Sequence, residues 1–341
     1  MIDLSHINFY ITNYCNYSCT NCNNFNNYRF NGHHYIKDYK HLLIEWSKKI
    51  NITKSITILG GEPTIHPDFV EYVKLIYKLW PNTQIHISTN GHNLHNISGV
   101  VYDILKDSDS KIRINASVHS ENLYNDVLNK AMRFLKAPLT VEEVYNLSEW
   151  QNIYNNIRGK NWPDCNKLDD FKTLPKHIQK ECIKQHNISD ELYKVRSVIT
   201  KIIDVNNVKV VITPQIYFKI AAIQEVDNKL QLHNNKANIA FENCGQKICQ
   251  TIIKGKLYKC PTVGLINDFY NQMPLNISKK QLQLIKDYIP LTIKSTENDI
   301  VNFKNELTKY IPQCGLCSIE SGLHPTKNIL TPTSKKVSFV K

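Results

Sequence analysis

The chain has 341 residues, 42% of them hydrophobic and 21% charged. That composition excludes wholesale disorder and a collagen-like fibre, and leaves room for two domains or one large α/β domain with an appendage. Lys+Arg 42 against Asp+Glu 30 gives a net charge of +12, yet the only arginines are Arg29, Arg113, Arg133, Arg158 and Arg196. A surface shaped for phosphate recognition would use the arginine fork more heavily, so a nucleic-acid partner is not favoured. No run approaches roughly 18 apolar residues, and the N-terminus lacks a basic start and apolar stretch, so the expectation is a cytoplasmic protein without a membrane partner.

Residues 6–12 alternate and are rich in β-branched and aromatic side chains, which predicts a first strand. A helix follows over 37–50, then a short apolar strand over 55–59 that runs into Gly60-Gly61. Residues 68–80 read as an amphipathic helix closed by Pro81, 84–88 as a third strand, 100–105 as a helix and 111–118 as a fourth strand. Strand and helix in alternation indicate a parallel sheet or barrel, whose chemistry gathers at the carboxyl ends of the strands. Residues 121–204 show no strand pattern and read as a helical insertion, with helices over 141–152 and 174–185. Strand character returns over 208–218, where Pro214 implies a break or an edge. Beyond residue 244 come a hairpin turning at Gly255, helices over 278–288 and 297–310, and a polar tail over 331–341 expected to be mobile.

Ten cysteines in a reducing compartment point to metal or redox chemistry before disulfides. Cys15, Cys19 and Cys22 form C-x3-C-x2-C directly after the first strand. Three thiols on one short loop converge only if the chain wraps around something, usually a metal or cluster, and three ligands leave a coordination position open. A zinc knuckle completed by His33 or His34 fits the spacing as well.

The cysteine loop and the next three strand ends resemble those of the radical S-adenosylmethionine (radical SAM) enzymes. Gly60-Gly61-Glu62-Pro63 is similar to the family's GGE-P motif, and Ser88-Thr89-Asn90-Gly91 to the polar turn after its third strand. Asn115, Ser117 and His119, at alternate positions of the fourth strand, resemble the family's ribose and carboxylate contacts. Asn21 stands where an aromatic residue is common, so Tyr14, Tyr17 or Phe25 is left for the adenine contact. The resemblance implies a partial (β/α)6 TIM-like barrel formed by 1–120 and 205–243, interrupted by the 121–204 insertion. It also implies a [4Fe–4S] cluster on Cys15, Cys19 and Cys22 that binds S-adenosylmethionine, with Gly60, Gly61, Glu62, Pro63, Ser88, Thr89 and Asn90 among the cofactor contacts. One electron would then cleave S-adenosylmethionine to a 5′-deoxyadenosyl radical, which abstracts hydrogen from a substrate C–H bond.

Cys244, then Gly255 and Cys260, resemble the opening of the twitch and SPASM extensions of that family, and Cys314-x2-Cys317 completes four ligands. The resemblance implies a small α+β extension over 244–330 holding an auxiliary [4Fe–4S] cluster; an all-cysteine zinc site suits the same four thiols. Cys249 is left over, and Cys165 and Cys182 read as packing residues. A fully ligated auxiliary cluster favours electron transfer and a two-electron oxidation. The expected substrate is a small metabolite or sugar-like molecule, with a peptide or a nucleotide as alternatives, and a flavodoxin or ferredoxin-type protein as electron donor. A non-catalytic zinc or electron-transfer protein is the remaining alternative, against which the GGE-P motif argues.

Overall fold

The computed structural model describes residues 1–19, 22–118, 123–137, 200–214, 217–218, 222–242, 244, 246–247, 249–319 and 324–325. The helices read at 141–152 and 174–185, Cys165, Cys182, Asn21, His119 and the 331–341 tail lie outside these residues. Among the described residues no helix is long and apolar enough to cross a membrane.

The fold is mixed α/β. In chain order the first half runs β1 (Ile2–Tyr10), α1 (Ile36–Lys49), β2 (Ile50–Leu59), α2 (Phe69–Leu79), β3 (Gln84–Thr89), α3 (Gly99–Asp107), β4 (Ile112–Val118) and α4 (Tyr124–Leu135). The second half runs β5 (Lys201–Val205), β6 (Val208–Pro214), β7 (Tyr217–Phe218), β8 (Ile223–Val226), β9 (Lys229–Leu232), α5 (Ala237–Glu242), β10 (Thr251–Ile253), β11 (Lys256–Tyr258), α6 (Pro261–Gln272), α7 (Lys279–Asp287), α8 (Glu297–Glu306) and β12 (His324–Pro325).

Eight strands form one sheet in the order β11-β10-β1-β2-β3-β4-β6-β5. The run from β10 to β6 is parallel, and β11 and β5 close its two ends antiparallel. The alternation of each strand sorts its side chains between two unlike faces. One face carries Ile7, Phe9, Ile56, Ile58, Ile85, Ile87, Ile112 and Ile114, packed under Trp46 of α1, Val73 and Ile76 of α2, Val101 and Leu105 of α3, and Val127 and Leu128 of α4. The other face is polar, and its positions on β3 and β4 are only partly buried. α4 lies inside the 121–204 span and still packs into this main core.

Three features were not legible in the sequence. β5 pairs with β6 through Asn206 and Asn207, and β8 with β9 through Asp227 and Asn228; all four have positive φ, as a type I′ hairpin turn requires. α6 follows Cys260 directly, with Pro261 at its first turn, where a missing N–H does no harm. The third hairpin, through Lys254 and Gly255, was expected, but β10 pairs in parallel with β1 and so extends the main sheet. Trp46 donates from its indole nitrogen to the Gly255 carbonyl at 2.8 Å, and a side chain at Gly255 would strike Leu42. Pro214 ends β6 as expected, and β7 pairs separately with β12.

A second core contains Phe25, Phe30, Leu265, Ile266, Phe269, Ile285 and Leu316. It joins the loop after β1 to α6 and α7, with the Phe25 and Phe269 rings 5.0 Å apart. The cysteine loop near the N-terminus is therefore held in place by residues more than two hundred positions away in sequence.

Candidate active site at the strand ends

The loop after β1 leaves the sheet at Ile11 and returns at His34, whose backbone N–H bonds the Ile11 carbonyl at 3.0 Å. Its neck is fastened by a Thr12–His33 bridge and by Asn13 N–H to Gly32 carbonyl at 2.8 Å. Inside it, the Asn26 amide donates to the Asn13 and Phe30 carbonyls, while Cys22 Sγ donates to Asn26 Oδ1 at 3.5 Å. A turn from Cys19 carbonyl to Cys22 N–H at 3.2 Å brings those two residues together.

The Gly60-Gly61-Glu62-Pro63 segment docks on this loop through backbone. Gly61 N–H bonds the Thr12 carbonyl at 2.7 Å, and Glu62 N–H the Tyr14 carbonyl at 2.9 Å. A β-carbon at Gly60 would overlap the Thr12 carbonyl oxygen, and one at Gly61 the Tyr14 carbonyl oxygen. Both glycines are thus required for the close approach of two chains. Asn24 Nδ2 adds a bond to the Gly60 carbonyl at 2.6 Å.

Glu62 is fully buried. Its Oε1 accepts from Thr64 N–H at 3.1 Å, Thr64 Oγ1 at 2.6 Å and Thr89 Oγ1 at 2.7 Å, and its Oε2 accepts from Asn90 N–H at 2.7 Å. Burial pushes its pKa up, against the pull of these donors. The carboxylate therefore ties the end of β2 to the end of β3, and its remaining acceptor capacity lies at Oε2. The turn it fixes returns to the cysteines: Asn90 Nδ2 bonds Asn16 Oδ1 at 2.8 Å and reaches Cys15 Sγ at 3.9 Å. Pro63 is buried at the start of a short 3-10 turn. Ser88 and Asn115 are register partners on the polar face, and Asn115 Oδ1 is buried without a hydrogen-bond partner. Ser117 comes next on the same face of β4.

Burial raises the pKa of Cys15, Cys19 and Cys22, and each of Cys15 and Cys19 is raised further by its neighbours in the set. Three thiols in one loop whose ionisation burial disfavours suit a metal centre, whose positive charge would stabilise them as thiolates. The buried, unpaired Asn115 oxygen is likewise suited to a polar ligand. Among the described residues no three His, Cys, Asp or Glu side chains stand in ready metal-ligand geometry. His33 Nδ1 hydrogen-bonds Thr12 Oγ1 at 3.0 Å and His34 Nδ1 the Tyr10 carbonyl at 3.1 Å, and among the described residues neither ring stands with the cysteines in metal-ligand geometry.

The members of the second cysteine set act on one another electrostatically, though among the described residues they do not stand in metal-ligand geometry. Cys260 is pushed up to about 12 by burial first, then by Cys244, Cys314 and Cys249. Cys317 is raised by burial and by Cys260, Cys244 and Cys314. A short 3-10 turn, Pro312–Leu316, presents Cys314 and leads into Cys317, and it is held by Asn235, which bonds the Gly315 and Cys317 carbonyls at 2.9 and 2.8 Å. Cys249, unassigned by the sequence pattern, lies beside Cys244 and Cys260 and makes a fifth thiol here. Lys259 is also new to the site. Only 6% exposed, its ammonium donates to the Glu306 and Leu307 carbonyls at 2.6 and 2.9 Å, with Cys314, Cys260 and Cys244 nearby.

Comparison with known proteins accords with this geometry at the level of family. Residues 9–147 match the Radical SAM superfamily model. No curated protein matches the chain. Among solved structures, the chain is similar to Streptococcus suis SuiB bound to S-adenosylmethionine, with 18% identity, a TM-score of 0.26, and coverage of 46% of this chain and 49% of that one. SuiB bound to the precursor peptide SuiA gives 17% identity and a TM-score of 0.27, covering 47% of this chain and 48% of that one. The chain thus spans about half the length of these structures. The cysteine loop, Gly60-Gly61 and Asn90 all fall within the stretch that matches the radical SAM superfamily domain, and that match supports an enzymatic, oxidoreductase-like activity.

Proposed function

We propose that Cys15, Cys19 and Cys22 hold a [4Fe–4S] cluster and that S-adenosylmethionine binds across the adjoining strand ends. The observation that carries this reading is the convergence of the two polar turns on the cysteine loop through Glu62 and Asn90. Bound there, the cluster and S-adenosylmethionine supply one-electron reductive cleavage and a 5′-deoxyadenosyl radical that abstracts hydrogen from a substrate. The chain's own part is positional. Gly60 and Gly61 let backbone approach, Glu62 and Thr89 fix the Asn90 turn, and Ser88, Asn115 and Ser117, with His119 beyond them in sequence, offer polar groups to the ribose and carboxylate. The notion of a non-catalytic zinc or electron-transfer protein gives way to the enzymatic domain.

Cys244, Cys260, Cys314 and Cys317 are proposed to hold an auxiliary cluster that takes the second electron of an oxidation, with reduction of the first cluster by a flavodoxin or ferredoxin-type protein. Two substrate classes fit an oxidation of this kind, a small metabolite and a ribosomally made peptide.

The test is anaerobic reconstitution with iron and sulfide. About eight irons and formation of 5′-deoxyadenosine are expected; bound zinc with no deoxyadenosine would refute the reading. Replacing Cys314 and Cys317 with Ala is expected to stop product formation while some deoxyadenosine still forms, and unaffected turnover would remove the auxiliary role.

A further inference from the structure

The polar face of the sheet carries a straight cross-strand row. Asn8 pairs in register with Thr57, Thr57 with His86, His86 with Arg113 and Arg113 with Lys209, so five parallel strands each contribute one residue. Arg113 is the second residue of β4, an inner strand of the sheet, and its Nε is buried without a hydrogen-bond partner.

Its charge also lacks a counterion among the described residues. The positions that alternate onto this face from His6 on β1 through Ser55–Leu59, Gln84–Ser88, Arg113–Ser117 and Lys209–Thr213 include no Asp or Glu. The one acid at the edge, Asp204 on β5, is taken by Lys209 at 3.5 Å. The uncancelled charge is felt next door: burial, then Arg113 and His6, lower the pKa of His86 to about 4, so that ring is neutral and free to share a proton with a ligand. An arginine that serves only packing finds an acceptor for its fixed fork of donors. Asn90 lies four positions beyond His86, about 13 Å at the rise of a strand, and it reaches Cys15.

We propose that Arg113, flanked by His86, is an anion-binding site that anchors a carboxylate or phosphoryl group of the substrate on the polar face of the sheet. It rests on the proposed role of the cysteine loop as the reaction centre. A substrate held by its anionic end at Arg113 extends a reactive C–H bond toward that loop, and the bidentate geometry of guanidinium sets its orientation.

The test uses the full chain, reconstituted anaerobically, titrated by calorimetry with inorganic phosphate and separately with succinate. Binding of one probe is expected and identifies the source of the anion. R113Q should weaken it about tenfold or more, as loss of a charge-assisted bidentate contact does. R113K, which keeps the charge but not the fork, should fall between, and K209Q, whose lysine is already paired, should bind within about twofold of wild type. Thermal melts establish that each variant is folded. No binding of either probe to the wild type, or binding to R113Q equal to wild type, or an equal loss in K209Q, would overturn the proposal. Wild-type deoxyadenosine formation is measured in parallel. Cleavage without Arg113-dependent anion binding sinks the anion site alone, and anion binding without cleavage sinks the radical reading alone.

Discussion

Replacing Glu62 with Gln removes one charge and keeps the size of the side chain. The carboxylate accepts four hydrogen bonds in a site with no solvent exposure. In the better orientation the glutamine oxygen keeps the three donors of Oε1, and its NH2 group then faces the Asn90 N–H across what was a 2.7 Å bond. One backbone N–H and one amide NH2 become buried donors without acceptors. At about 1–3 kcal/mol each, the expected loss is about 2–6 kcal/mol. Relaxation of the turn moves Asn90 away from Cys15, so iron retention and deoxyadenosine formation should fall together with stability. Urea unfolding of wild type and Glu62→Gln gives the stability difference, and iron analysis after reconstitution gives the second readout. A change below about 0.5 kcal/mol, with iron content intact, would show that Glu62 does not organise the strand ends and would refute the reasoning.

Phe269→Ala should cost about 3–5 kcal/mol by opening the second core, and because Phe269 packs on Phe25 and Phe30 it should also lower iron bound at Cys15, Cys19 and Cys22; iron content unchanged at the same destabilisation would separate the two. His34 and His66 both have pKa values lowered to about 4 from 6.5 by burial. His66 Nδ1 accepts from Asp68 N–H at 2.9 Å, so protonation there breaks a bond. Their contribution to stability is whole above about pH 6.5 and drains as pH falls toward 4. Thermal melts across that window should show it, and His66→Asn, whose Oδ1 can stand for Nδ1, should flatten the slope. Lys259→Met should lose about 1.5–3 kcal/mol, the contribution of hydrogen bonds from a charged donor. It should also shift the midpoint potential of the auxiliary centre negative; an unchanged potential would show that the ammonium does not act on that centre.

The strands β1 to β4 and the helices between them were legible because each buries one regular stripe, and a stripe is a local pattern. The hairpins at Asn206-Asn207 and Asp227-Asn228 were missed because asparagine is abundant throughout the chain, which hides its turn signal. At the site, the cysteines and both glycines could be named from spacing, but the four bonds of Glu62 could not. They join Thr64, Thr89 and Asn90, from two different loops, to one carboxylate. Lys259 gave no signal, since it belongs to no spaced pattern, and Cys249 stood only as a cysteine left over from the second set.

The sequence by itself determined the kinds of chemistry available: seven of ten cysteines in two spaced sets, glycines where backbone must come close, and a Lys-rich charge with few arginines. Only the tertiary structure decided what those groups face. It placed β10 against β1, seated the N-terminal cysteine loop on α6, and left Arg113 on a polar sheet face without a counterion among the described residues. The reason is that spacing along a chain encodes local geometry, whereas the neighbours that set charge and burial arrive from strands and helices far away in sequence. Of the surplus of positive charge with which the chain presents itself, long-range packing sets Arg113 on the polar sheet face, its Nε buried without a hydrogen-bond partner.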